Sequence, residues 1–231
     1  MAKYEAVIFC GGYGTRMRDF NSNLPKPLVP ILDSTILDII IENLKYNDVN
    51  KIYLLTGYKQ EQFIKKYSGN NYIVPVNTGE GTDTAERLMK ISGFLKGKKY
   101  VLTYGDSITN FNLAKALKSK DEHEYSMALF EKIIEYGVIE KNLKNEVNKI
   151  HEKNFLVNIN AGFYLLDDKI FELIERNNLK SFENEVLPLL INKKLMKSYV
   201  VDFWQPIDSG NDVILFNKKY NNKLTDKPWC I

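Results

Sequence analysis

The residues best suited to chemistry lie in Val7-Ile8-Phe9-Cys10-Gly11-Gly12-Tyr13-Gly14-Thr15-Arg16-Met17-Arg18, followed closely by Leu24-Pro25-Lys26-Pro27-Leu28. A short apolar run enters a glycine-rich bend that ends in two arginines, and a lysine then stands between two prolines. Glycines let main-chain N–H groups approach an anion closely, and fixed cations neutralise it, so the pattern describes a cradle for a polyphosphate. Pro25 and Pro27 restrict the backbone around Lys26 and hold its amine in place. The chain's arginines are Arg16, Arg18, Arg87 and Arg176, and half of them sit in this loop. Arginine makes planar bidentate phosphate contacts that lysine cannot, which favours an anion site there over a pair of solvated surface arginines.

Other readings of the loop fit less well. A dinucleotide-binding GxGxxG would need glycine where Met17 stands, and the P-loop pattern GxxxxGK[ST] is absent. Asp106, after Thr103-Tyr104-Gly105, read alone fits a turn or a helix cap as well as a ligand. His123 and His151 are isolated, without metal-ligand spacing or a nucleophile motif, and read as surface or satisfied residues. No GxSxG, HExxH or Ser/His/Asp signature occurs.

The elements that must position these residues follow from periodicity. Ala6–Cys10 reads as a buried strand, and Gly11–Leu32 as a long functional loop held by Pro25, Pro27 and Pro30. Asp33 or Ser34 is the expected cap of a helix carrying Ile36, Ile40, Ile41 and Leu44. Strands are expected at 51–55, 72–76 and 99–103, alternating with helices at 59–67, 83–91 and 112–120. This alternation predicts an α/β fold with a mostly parallel sheet, whose ligands bind beyond the C-terminal strand ends, where the glycine loop and Asp106 both fall. The second half is richer in strands, at 125–130, 137–140, 146–150 and 159–166, with a hairpin turn at 142–145. Helices are expected at 170–174, 182–191 (with Pro188 as a kink or boundary) and 213–220, and a last strand at 197–201. We read one domain over 1–231, with a nucleotide half of about 1–120 and an acceptor half of about 121–231.

Bulk properties set limits. The 231 residues are 44% hydrophobic, enough for a core, and Lys+Arg of 32 against Asp+Glu of 29 gives a net charge of +3. That balance argues against nucleic acid or a membrane surface as partner. Cys10 and Cys230 form no CxxC pattern, so neither a disulfide framework nor a zinc site is expected, and Cys10 reads as a small core residue. No segment reads as a signal peptide or membrane span, and a reducing cytoplasm is the expected setting.

The loop and the segments after it resemble the sugar nucleotidylyltransferases (nucleoside-diphosphate-sugar pyrophosphorylases), whose signature is Gly-Gly-X-Gly-Thr-Arg and then Pro-Lys-Pro. Asn77-Thr78-Gly79-Glu80-Gly81-Thr82-Asp83-Thr84-Ala85-Glu86-Arg87-Leu88 resembles a segment of the glucose-1-phosphate cytidylyltransferase branch. So do Thr103-Tyr104-Gly105-Asp106, Tyr136-Gly137, Glu152-Lys153, Asn160-Ala161-Gly162-Phe163-Tyr164, Phe203-Trp204-Gln205-Pro206-Ile207-Asp208-Ser209 and Lys227-Pro228-Trp229. The match runs nearly end to end, in order. It departs at Asn154, where the branch has proline, and at Ala161 and Glu86, where it has glycine.

The resemblance implies a Rossmann-like sheet with a small β-rich acceptor part, and an enzyme joining CTP to a hexose 1-phosphate with release of pyrophosphate. Arg16 and Lys26 are the implied catalytic residues. Gly11, Gly12, Gly14, Thr15, Thr78, Gly79, Thr84, Arg87 and Gly105 are implied on the nucleotide side, and Lys153, Gly162 and Glu183 on the acceptor side. Asp106 and Asp208 are implied ligands of Mg²⁺, a hard cation that takes oxygen donors. Read alone, Lys153 fits an exposed lysine, Gly162 a strand glycine, Glu183 a solvated helix face, and Trp204 a core aromatic. Relatives commonly form oligomers, which makes a homo-oligomer an expectation. Alternatives are a phosphocholine-like or phosphoglutamine-like acceptor, UTP, dTTP or GTP as donor, and a non-catalytic nucleotide-sugar sensor.

Overall fold

The computed structural model describes residues 4–17, 19–120, 124–221 and 227–229. The readings of Arg18, His123 and Cys230 fall outside the described residues. Seven strands form the main sheet: β1 (Tyr4–Phe9), β2 (Val49–Thr56), β3 (Ile73–Asn77), β4 (Lys99–Tyr104), β5 (Tyr125–Ile134), β6 (Phe155–Asp167) and β7 (Met196–Val201). Their spatial order is β7-β5-β6-β4-β1-β2-β3. Neighbours run parallel except at β6, which is antiparallel to both β4 and β5. The expected mostly parallel sheet flanked by helices is therefore what the chain builds.

The strand β1 is buried along its whole length, as an apolar run at the centre of a covered sheet must be. Alternate residues enter two layers. Ile8, Leu54, Val101 and Leu165 pack with the helices 36–46 and 210–220 on one face. Val7, Tyr53, Leu102 and Tyr164 pack with the helices 84–89 and 169–176 on the other. Cys10 is buried among these side chains, as expected, and burial pushes its thiol well above the ordinary range.

Several elements depart from expectation. The helix Ile36–Tyr46 is capped by Thr35, whose hydroxyl accepts from the Asp38 amide. Asp33 and Ser34 lie in the turn and first rung of a hairpin that pairs Pro30–Ile31 with Ser34–Thr35, two residues and one residue short of the cap position before Ile36. The expected helix 182–191 divides into a π-helical turn, Phe182–Val186, and an α-helix, Leu187–Asn192, with Pro188 in its first turn, where proline lacks only an N–H that would go unbonded. Strands β5 and β6 are longer than expected because they continue past the sheet as a paired ribbon, Phe155 opposite Ile134. A bulge interrupts that pairing between Asn160 and Tyr164, at Gly162 (φ 78°). A short ladder lies outside the expected strands: Ser107–Thr109 pairs antiparallel with Trp204–Pro206.

Candidate active site

A cavity of about 540 Å³ opens at the C-terminal ends of β1 and β4. The glycine loop forms one wall, Gly81–Thr84 another, and Asp106 and Asp208 the rim. This is the position at which open α/β sheets bind ligands.

The loop is shaped by close approaches. Gly14 has φ 56°, and a Cβ there would lie 2.9 Å from the Lys26 Cβ. Gly105 donates its amide to the Phe9 carbonyl (3.0 Å), and a Cβ on it would meet Pro27 at 2.9 Å. Gly12 has nothing within 4 Å of its missing side chain and faces open space. Thr15–Met17 and Lys26–Leu28 are single 3-10 turns, anchored by buried Met17, Pro27 and Leu28. Phe20 packs against Gly210, so the segment after Arg16 leans on the start of the helix that follows Asp208.

The short ladder brings the two carboxylates together. Ser107 pairs with Pro206, and the Ile207 amide donates to the Asp106 carbonyl (2.9 Å), which sets Asp106 and Asp208 side by side. Ser209 caps the helix 210–220 in a capping box with Asp212, and Asp212 also accepts from the Asp208 amide (3.0 Å). Lys26 Nζ donates to Asp106 Oδ2 (3.0 Å) and Asp208 Oδ1 (2.6 Å), while Arg16 reaches Asp208 Oδ2 at 3.2 Å. The Lys26 side chain is only 11% exposed, that of Arg16 75%. Burial pushes the Asp208 carboxyl up, but Lys26 and Arg16 outweigh it and hold the group below its usual range. Arg16, Lys26, Asp106 and Asp208 are thus one charged cluster.

The donor set tests the expected metal. Among the described residues no group of three or more His, Cys, Asp or Glu side chains is arranged to hold an ion. Two half-exposed carboxylates fit a hard cation that takes its remaining ligands from phosphate oxygens and water, as Mg²⁺ does.

Other expected site residues are engaged differently. Thr78 is buried behind the loop, its hydroxyl donating to the Thr56 carbonyl (2.7 Å), and does not line the cavity. Gly79 (φ 87°) turns the chain there, its amide held by Asn77. Arg87 reaches the cavity wall, yet its guanidinium is committed to three segments: the Gly11 carbonyl (3.1 Å), the Thr56 carbonyl (3.2 Å) and the Thr78 hydroxyl (2.6 Å). It occupies the space a Gly11 side chain would need. Thr84 lines the cavity and donates to Glu183 (2.6 Å). Glu183 also accepts from Tyr104 (2.5 Å), which places it behind the cavity wall. Glu86 closes a capping box with Asp83, a signal readable in the Asp-X-X-Glu spacing.

On the acceptor side the structure brings less together. Gly162 lies over the Tyr104 ring, 3.0 Å from where its Cβ would be. Lys153 sits exposed in the turn before β6, beside Asn154 (φ 69°), and does not line the cavity. Trp204 is half-buried against Phe130 (ring centroids 5.8 Å apart), and His151 is paired with Glu140 (2.6 Å). Tyr104 and Tyr13, both lining the cavity, were not singled out from sequence.

A glycine loop and a lysine held between two carboxylates thus meet at the strand ends of an α/β sheet. Residues 5–222 match the family described as nucleotidyl transferase, and the chain belongs to that family. It is similar to the bifunctional protein GlmU of Methanococcus vannielii, 32% identical over 238 residues, covering 96% of this chain and 56% of that protein. The chain therefore spans about half the length of such curated relatives. A Bacillus subtilis protein named probable glucose-1-phosphate cytidylyltransferase is 28% identical, over 94% of this chain and 96% of its own. The crystal structure of HddC from Yersinia pseudotuberculosis complexed with GMP-PN shares the fold, with TM-score 0.70 at 24% identity over 94% of this chain and 99% of that one. Among the described residues no helix is long and apolar enough to cross a membrane.

Proposed function

We propose that the chain transfers a nucleotidyl group from a nucleoside triphosphate to a phosphorylated acceptor. An acceptor phosphate oxygen attacks the α-phosphorus, a new P–O bond forms, and the opposite α–β P–O bond breaks with its electron pair leaving on pyrophosphate. The observation that carries the reading is the Lys26 ammonium lying against both Asp106 and Asp208 beside the glycine loop. The protein's task in such a reaction is to align two mutually repelling anions and to stabilise developing charge.

Arg16, largely exposed at the loop's end, is suited to the departing β- and γ-phosphates. Lys26 serves the junction of the α-phosphate and the attacking phosphate. Asp106 and Asp208 would hold Mg²⁺, which when bound polarises the α-phosphate. CTP is our leading donor and a glucose 1-phosphate-like hexose 1-phosphate our leading acceptor. The ordered motifs at 77–88, 103–106 and 203–209 and the name of the Bacillus subtilis relative support this. The single-domain division into nucleotide and acceptor halves, a cytoplasmic setting and a homo-oligomer belong to the same reading.

The test is a substrate panel: CTP, UTP, dTTP and GTP, each with hexose 1-phosphates, phosphocholine and a phosphorylated amino acid, with pyrophosphate release as readout. Release with CTP and a hexose 1-phosphate is expected. Release only with another pair corrects the substrates and keeps the reaction; none with any pair sinks the proposal.

A further inference from the structure

Lys26 occupies the place that a cation bridging Asp106 and Asp208 would need. Its amine takes one oxygen from each carboxylate, at 3.0 and 2.6 Å, and Arg16 takes the other oxygen of Asp208. Two cationic side chains thus balance two carboxylates. A divalent ion entering alone would have to displace a largely buried ammonium from its partners and then sit beside it as a like charge. The stem of Lys26 lies close beside Gly14, in a turn held by its flanking prolines, so what moves is the far end of the side chain.

From this we infer that Lys26 keeps the free divalent cation out of the ligand-free site, and that the metal gains the two carboxylates only together with the triphosphate. The inference rests on the proposed nucleotidyl transfer. The triphosphate brings several negative charges, which give the amine new acceptors and turn the balance of the cluster negative. Release of Lys26 from the carboxylates and admission of the metal are then one event. Lys26 sets the order of binding as well as contacting phosphate, and the acceptor enters a site whose charges are already rearranged.

The probe is Mn²⁺ alone, without nucleotide, with free ion followed by electron paramagnetic resonance. Wild-type protein is expected to bind it weakly, and Lys26→Met at least about tenfold more tightly, since a cation has left the space between two carboxylates. Adding Asp208→Asn to Lys26→Met should remove the gained affinity, and Lys26→Arg should stay as weak as wild type. Equal affinity of wild type and Lys26→Met overturns the inference, as does a gained site that survives Asp208→Asn. Circular dichroism checks that the variants fold. Should Lys26→Met not fold, tight Mn²⁺ binding by the wild type overturns the inference without any variant, and weak binding supports it. Pyrophosphate release tests the reaction separately: turnover with equal affinities rejects only the inference, and a tenfold difference without turnover rejects only the reaction.

Discussion

Lys26 fills the space beside Gly14, with 2.9 Å between the Lys26 Cβ and the position a Gly14 Cβ would take. Gly14 also has φ 56°, a region where a side chain costs about 1 kcal/mol or more. Gly14→Ala should therefore push the Lys26 stem away from the carboxylates. We expect turnover to fall at least about tenfold, a misplacement effect, with only a small loss of thermal stability. Steady-state kinetics beside a melting curve check this; unchanged turnover would show that the contact does not position Lys26.

Asp106→Asn and Asp208→Asn each leave the ladder and the helix cap intact while removing a carboxylate from the Lys26 cluster. Each should lower metal-dependent turnover by about 10²-fold or more, with the fold retained. Pyrophosphate release across a Mg²⁺ titration is the measurement, and full activity in either variant would refute the metal assignment.

Arg87 is 4% exposed and ties Gly11, Thr56 and Thr78 together through charged hydrogen bonds. Arg87→Met would strip the Gly11 carbonyl of its guanidinium donor and take one bond each from the Thr56 carbonyl and the Thr78 hydroxyl, which keep their bond to each other. The expected loss is about 2–4 kcal/mol of stability, read from urea unfolding. A variant as stable as wild type but with raised nucleotide KM would instead assign Arg87 to direct nucleotide contact.

Glu183 accepts from the Tyr104 and Thr84 hydroxyls and so joins the end of β4 to the helix 84–89. Glu183→Ala should lower the unfolding free energy by about 1.5–3 kcal/mol, the range for hydrogen bonds to a charged group. A raised acceptor KM with an unchanged melting temperature would return Glu183 to the sugar.

Tyr53 and Tyr72 are among the buried groups that give the fold an alkaline limit. Burial pushes both phenols up to about 12, with Glu5 adding to the effect at Tyr53. A raised folded value means the neutral phenol is preferred in the folded chain. Its stabilising contribution is complete below the unfolded value of about 10 and is lost as pH rises through about 12. The contribution of these two phenols to the urea midpoint should hold steady up to about pH 10 and decline above it, while the raised Cys10 thiol begins to lower the midpoint at a lower pH. Tyr72→Phe should show a shallower decline, and the same slope as wild type would exclude Tyr72 as a contributor.

The strand pattern was legible because β1 and its neighbours are buried on both faces and read as plain apolar runs. Lys26 was legible because two prolines announce a fixed backbone. Ser107–Thr109 and Trp204–Pro206 were not, since three residues are too few to show a period, and their partner lies far along the chain. The bulge at Gly162 was hidden in the same way within an apolar strand. Thr78, Arg87 and Glu183 show a different limit. Their types suit ligand contacts, and the motifs place them near the site, but a side chain's partner depends on which backbone carbonyls and hydroxyls the fold brings within reach. Glu86 could have been read from its spacing to Asp83 as a capping partner.

The ladder between Ser107–Thr109 and Trp204–Pro206 also has a consequence for the growing chain. Translation delivers the glycine loop first, then Asp106, and only afterwards the strand that brings up Asp208. A nascent chain or a fragment ending before Trp204 carries the glycine loop with one carboxylate in place of two. The cluster of Arg16, Lys26 and the two carboxylates therefore forms only once Trp204–Pro206 has emerged and paired back onto Ser107–Thr109.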